Sequence, residues 1–238
     1  MFPIYDENPT RETPYVTYVL IGLNIVVFLH EISLSTSLFV LDGRAIEEFF
    51  QLYAVIPRQL SSEFFELTSY QAIPEWVTLF SSQFLHGGWW HLISNMVFLW
   101  VFGNNIEDRL GKIKYLFFYL SCGALAALCQ YVINIGSAIP SLGASGAIAG
   151  VLGAYLIRFP RAEVNTLILL GFIFTVRLPA FIPIGFFFIQ NVIAGVYSLQ
   201  AAANMTGEMG GVAYWAHIGG FVFGIILSPI LGLFSREY

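Results

Sequence analysis

Four polar residues stand inside apolar stretches of this chain at spacings that could do chemistry. Ser145 lies in SLGASGAIAG, residues 141–150, surrounded by glycine and alanine. His217 lies in AYWAHIGGFVFG, and His91 and Asn95 lie in QFLHGGWWHLISN. An imidazole within about 3 Å of a serine hydroxyl can take its proton during attack on a carbonyl and pass it to the leaving amine. His91 and Asn95 are spaced i, i+4 and share one helix face. Both can donate hydrogen bonds to the oxyanion that such an attack creates. The backbone N–H of Ser145, free at a helix start, is a third donor.

Each residue also has a plainer reading. Gly143, Gly146, Gly150 and Gly153 let helices approach closely, and a serine among them needs no further reason. His217 could be a core histidine bonded to a backbone carbonyl, with Gly220 and Gly224 after it as another close-approach face. His91 and Asn95 could be polar glue between helices. His86, five residues before His91, could bond to the start of the same span or hold the loop in place. Gln190 and Asn191 could face a cavity and tune substrate access, together with Tyr214 and Trp215, or could simply bond between helices. No carboxylate falls in a span at a depth expected to orient His217, so the chemistry on offer is a Ser-His dyad.

The elements that must position these residues follow from composition. The chain has 238 residues, 57% hydrophobic and 11% charged, with a mean hydropathy of +0.74. Soluble domains carry about 25% charged residues, so this is a polytopic membrane protein. A net charge of -5 argues against a nucleic-acid partner. The N-terminus, MFPIYDENPTRETPY, lacks a basic region, so the first span is expected to stay in the mature protein. Cys122 and Cys129 share a helix face and read as packing thiols; no metal or cofactor is implied.

We expect an all-α helical bundle forming one domain over 1–238, with spans near 15–34, 90–106, 115–133, 145–157, 181–197 and 213–230. The fourth is too short for a hydrocarbon core of about 30 Å, so it must begin inside the membrane among protein or water. Residues 164–175, interrupted further on by Arg177, Pro179 and Pro183, read as a re-entrant piece. Residues 35–76 mix acids with aromatics such as Phe49, Phe64 and Tyr70, which suits amphipathic pieces at the membrane surface. Eight basic residues, including Arg109, Lys112, Arg158 and Arg236, fall on one side; the acidic first loop and the loop around Glu208 fall on the other. The positive-inside rule then puts both termini in the cytoplasm.

At these motifs the sequence resembles the rhomboid family of intramembrane serine proteases. GASG, Gly143 to Gly146, resembles the family's GxSG motif, which implies that Ser145 is the nucleophile. The resemblance gives His217, in AHIGG, the role of general base. His86 to Asn95 resembles the HxxxxHxxxN signature, implying that His91 and Asn95 contribute to an oxyanion hole and that His86 steadies the loop. EDRLG, Glu107 to Gly111, resembles the conserved end of the second span. The implied fold has six spans, a short central fourth helix and a membrane-embedded first loop, with the fifth span as substrate gate. One departure concerns the position one turn after the nucleophile. Some members carry an aromatic residue there, stacked on the histidine; here it is Ala149, and Tyr214 and Trp215 are the candidates to stand in for it.

The expected activity is endopeptidase cleavage in or near transmembrane helices of membrane-protein substrates, within membrane lipid. A catalytically silent relative that binds client helices is the alternative, although such a relative would be expected to have lost one of the four polar residues. A transporter is disfavoured, since neither an inverted repeat nor an acidic pair for ion coupling is found. The expected location is the plasma membrane of a prokaryote. The sequence assigns no oligomeric state.

Overall fold

The computed structural model describes residues 1–66, 72–169, 173–204 and 212–235. Tyr70, residues 170–172, the loop around Glu208 and Arg236 lie outside them. Among the described residues, six helices of at least fourteen residues build the bundle. They are α1 (Tyr15–Leu34), α5 (Trp89–Leu110), α6 (Lys112–Ile133), α7 (Ser145–Arg158), α8 (Phe181–Asn204) and α9 (Tyr214–Ile230). Shorter helices α2 (Arg44–Tyr53), α3 (Pro57–Ser61) and α4 (Glu75–Ser81) lie between α1 and α5. Residues Tyr15–Leu34, Lys112–Ile133 and Phe181–Gln200 are long and apolar enough to cross a membrane. Together with the shorter apolar helices they form a polytopic helical membrane bundle.

The short α7 is the centre. Its residues from Gly146 to Tyr155 are all buried, and it packs on α9, α6 and α5. At 1.5 Å per residue it is about 20 Å long. Small residues make its closest contact possible. A side chain on Gly220 or Gly224 of α9 would run into the carbonyl oxygens of Gly146 and Gly150. Backbones therefore touch at these two points, and dispersion between close surfaces replaces the hydrophobic drive that lipid does not supply. Cys122 and Cys129 are free thiols that pack on Gly150 and Gly219.

One expectation is corrected at the end of α7 away from Ser145. Residues 164–175 are not a re-entrant piece. Strand β2 (Glu163–Leu169) pairs antiparallel with β3 (Ile173–Pro179) and, on its other edge, with β1 (Phe2–Asp6). The result is a three-stranded sheet, β1-β2-β3, on a bundle otherwise read as all-α. Its physical reason is backbone satisfaction. β2 is the central strand, with a ladder on both sides, so the run needs no helix to pair its polar groups. A short apolar run rich in β-branched residues does not reveal its period.

The same end of the bundle is tied by polar contacts. Glu107 of α5 accepts hydrogen bonds from the N–H groups of Val16 and Thr17 at 2.9 and 2.8 Å and from the Thr17 hydroxyl at 2.8 Å. A carboxylate thus caps the unpaired first turn of α1, where the helix dipole favours negative charge. Asp108 accepts from the N–H groups of Arg11 and Glu12. Asp6 accepts from Tyr155 at 2.5 Å and from Asn105 at 3.0 Å, which fastens β1 to α7 and α5. Lys114 donates to the carbonyl of Leu231 at 2.9 Å, so the turn that follows α9 sits on this face as well.

Candidate active site

Ser145 opens α7 directly after a loop that cannot wander. Gly143 has a φ of +127°, a backbone region that glycine enters without the steric penalty of a side chain. A Cβ there would also lie 2.7 Å from His91 Nε2. The loop is held from the first-loop side by backbone bonds. Ser141 and Val55 exchange two, at 3.0 and 2.8 Å, and the N–H of Gly143 donates to Ser82 at 2.8 Å. The segment between α1 and α5 therefore fixes the approach to Ser145, a function that its sequence did not disclose.

The hydroxyl of Ser145 meets His217 across the α7–α9 contact. Oγ lies 2.7 Å from Nε2, and His217 is buried in the first turn of α9. Its other ring nitrogen, Nδ1, is 2.6 Å from Oδ1 of Asn191 on α8. Of the two readings open for Asn191, the structure has the bond between helices. The carboxylate-free dyad expected from the sequence thus has an amide behind it. The ring of Phe187, one turn before Asn191, lies 5.7 Å from the imidazole between centroids, tilted by 39°. Ala149 is buried and offers no ring. Phe187 supplies one, in place of the candidates Tyr214 and Trp215. The indole of Trp215 instead faces Gly195 of α8.

His91 and Asn95 are on α5 at the same end. The N–H of Gly87 donates to His91 Nδ1 at 3.2 Å. A neutral imidazole whose Nδ1 accepts must carry its proton on Nε2, the nitrogen that lies against Gly143 beside Ser145. Asn95 is buried, and its Nδ2 has no hydrogen-bond partner among the described residues. His91 Nε2–H therefore stands near the serine, and Asn95 Nδ2–H, one turn further along α5, is a second donor that no described contact consumes. Donors fixed in advance suit a charge that develops only during reaction.

His86 sits behind them. Its ring is edge-on to Phe28, with centroids 6.4 Å apart, and 5.1 Å from that of His91. Its backbone N–H donates to the carboxylate of Glu31 at 3.1 and 3.3 Å. Glu31 was missed in the sequence. It is a buried acid in α1 on the side of His86, and it holds the loop, with no hydrogen bond to His217. Gln190 and Tyr214 face elsewhere. Gln190 lines a cavity of about 260 Å³ with Phe98, Phe102, Phe187 and Met1, between α5, α8 and the N-terminal strand. Gln190 and Tyr214 both line a wider groove of about 610 Å³ along α8. Among the described residues no cluster of His, Cys, Asp or Glu could hold a metal ion.

Comparison with known proteins gives the arrangement its context. Residues 74–234 match the family model described as the Rhomboid domain. The chain is similar to the presenilin-associated rhomboid-like protein, mitochondrial, of Bos taurus, at 32% identity over 146 residues. That match covers 60% of this chain and 35% of the bovine protein. It is similar to the rhomboid protein 1, mitochondrial, of Saccharomyces cerevisiae, at 30% identity over 63% of this chain and 40% of the yeast protein. Rhomboid-like protein 11, chloroplastic, of Arabidopsis thaliana is 29% identical over 69% of this chain and 56% of its own length. The chain thus spans less than two thirds of the length of each of these relatives. Their names correct the expected location, since they place the relatives in mitochondria and chloroplasts and lend no support to a prokaryotic plasma membrane. The family includes intramembrane serine proteases. With the matched domain covering most of its length, from the first loop through α9, the chain belongs to the rhomboid family.

Proposed function

We propose that this chain is an intramembrane serine endopeptidase that cleaves peptide bonds in or near transmembrane helices of membrane proteins. The observation that carries the reading is the 2.7 Å contact between Ser145 Oγ and His217 Nε2. His217 takes the serine proton as Oγ attacks the carbonyl, then delivers it to the leaving amine. His91 Nε2–H, Asn95 Nδ2–H and the Ser145 N–H steady the oxyanion. Water then attacks the acyl-enzyme, with His217 again as base. His86 and Glu31 keep the loop that sets His91.

The six long helices are read as membrane spans of one domain, 1–238. A substrate helix approaches between α5 and α8, where aromatic rings such as Phe98 and Phe187, 6.1 Å apart, close the gap above a cavity. It must unwind locally, because a helical amide is engaged in its own hydrogen bonds. Segments with small or helix-breaking residues are the substrates of choice. The relatives' names favour an organellar membrane as the setting.

The test combines labelling with cleavage. The purified chain is treated with a serine-reactive fluorophosphonate and with a reporter carrying one helix-unstable transmembrane segment. Labelling and cleavage are expected in the wild type and are expected to vanish in Ser145→Ala and His217→Ala. Cleavage that persists in Ser145→Ala would sink the assignment. A wild type that neither labels nor cleaves would point to a silent relative that only binds client helices.

A further inference from the structure

We propose that Asn191 and Phe187, one turn apart on α8, are positioning residues for His217: Asn191 sets which ring nitrogen carries the proton, and Phe187 braces the ring. The proposal rests on the Ser145–His217 reading above. It assigns α8 a part in preparing the base, beyond bordering the path of the substrate.

The amide of Asn191 can be oriented from its own bonds. Nδ2 donates to the carbonyl of Phe187 at 2.8 Å. The atom left facing His217 Nδ1, at 2.6 Å, is Oδ1. An amide oxygen only accepts, so Nδ1 must carry the proton. In a neutral imidazole the lone pair then falls on Nε2, the nitrogen 2.7 Å from the serine hydroxyl. That is the tautomer a general base needs. The reversed amide would lose its bond to Phe187 and set an N–H donor against Nδ1. Nδ1 would then be the acceptor, and Nε2 would carry the proton and be useless as base. Oδ1 of Asn191 is the acceptor here, and its orientation is fixed by the backbone of the same helix.

The ring brace follows from what α7 lacks. Ala149, one turn after Ser145, is fully buried and leaves the imidazole without an aromatic neighbour from that helix. Phe187 occupies the role from the other side, 5.7 Å from the imidazole, and also meets Phe98 of α5 at 6.1 Å. Both constraints on His217 thus travel with α8. That helix turns Phe186, Ile189, Ile193 and Tyr197 outward as exposed apolar residues. Displacing it would withdraw the acceptor and the ring together.

The experiment uses the full chain in detergent, with fluorophosphonate labelling rate, reporter kcat and KM, and the ¹⁵N histidine spectrum as readouts. In the wild type the His217 resonances are expected to be those of the Nδ1–H tautomer. Asn191→Leu is expected to lower labelling rate and kcat by about 10- to 100-fold, with KM within about twofold, and to mix the tautomers. Asn191→Asp keeps an oxygen acceptor in place and is expected to retain the Nδ1–H tautomer and most of the labelling rate. Phe187→Leu is expected to lower kcat with less effect on the tautomer. A wild-type spectrum showing Nε2–H would overturn the proposal without any variant. So would a folded Asn191→Leu protein with unchanged labelling rate and kcat. If Asn191→Leu does not fold, a folded Asn191→Asp protein that has lost the Nδ1–H tautomer decides against it. Failure of the dyad reading looks different: labelling is absent in the wild type or survives in Ser145→Ala, whereas the spectrum still reports on Asn191.

Discussion

Gly220 of α9 lies against the carbonyl oxygen of Gly146 of α7, where a side chain would find no room. Gly146 follows Ser145, and Gly220 is three residues beyond His217. The backbone contact therefore sets the separation of hydroxyl and imidazole as a packed fit sets a bearing. Replacing Gly220 by alanine must push α9 from α7. Overpacking of this kind costs about 1–3 kcal/mol, and misplacing a catalytic group by about 1 Å can lower rate by about 10²-fold. Gly220→Ala is expected to lose labelling and cleavage by that order, while Gly136→Ala, where no atom lies within 4 Å, leaves both unchanged. Equal activity in the two would show that the glycine contact does not set the dyad.

That relationship explains how much could be read from the sequence. Small residues at Gly146, Gly150, Gly220 and Gly224 have one physical use in lipid, close approach, so the meeting of the fourth and sixth long helices was legible. Ser145 and His217 came with it. The helix-facing pair His91 and Asn95 was legible from its i, i+4 spacing. Asn191 was visible only as a polar residue in a span, because nothing local says which way a helix is rotated about its axis. Glu31 was overlooked because it sits at the edge of an apolar run, where an acid reads as interfacial. The β2–β3 hairpin was missed because a short apolar run does not reveal its period, and the β1–β2 pairing because strands separated by most of the chain leave no local pattern.

The oxyanion donors should separate from the base. His91→Ala and Asn95→Ala are each expected to lower kcat by about 10²- to 10³-fold. Neither removes the Ser145–His217 contact, so slow fluorophosphonate labelling should survive in both, unlike in His217→Ala. Asn95→Ala removes a donor that has no other described partner, so thermal stability is expected to hold or rise, because no buried bond is broken. A large loss of stability with unchanged kcat would assign Asn95 to helix packing.

Glu107 should be structural. Its carboxylate collects the N–H groups of Val16 and Thr17 and the Thr17 hydroxyl, on the opposite end of the bundle from Ser145. Glu107→Ala leaves buried donors without an acceptor, each costing about 1–3 kcal/mol. The expected outcome is a lower unfolding temperature in detergent, with residual folded protein labelling at the wild-type rate. A selective loss of labelling in fully folded Glu107→Ala would contradict the division of roles.

The docking of the N-terminal strand should depend on pH through Asp6. Burial raises its carboxyl from the ordinary 3.8 to about 6, and hydrogen bonds from Tyr155 and Asn105 pull it down only in part. The folded value lies above the unfolded one, so the docked strand binds the proton more tightly than the free strand does. The resulting stabilisation is fully present below about pH 4 and is lost as pH rises through about 6. Backbone hydrogen exchange over residues 2–6, corrected for the intrinsic pH dependence of exchange, is therefore expected to show protection falling between pH 5 and pH 7, on the order of the shift in Asp6. Asp6→Asn can still accept from Tyr155 but no longer titrates in this range. Its protection is expected to be flat across the same interval. Protection that rises with pH in the wild type, or falls equally in Asp6→Asn, would show that another group controls the strand. Because β1 also borders the cavity between α5 and α8 through Pro3, beside Met1 that precedes it, the same titration should widen that cavity on the alkaline side. A spin label on Pro3→Cys is then expected to gain mobility as pH rises through about 6, and a label whose mobility does not change would confine the effect of Asp6 to the strand's own hydrogen bonds.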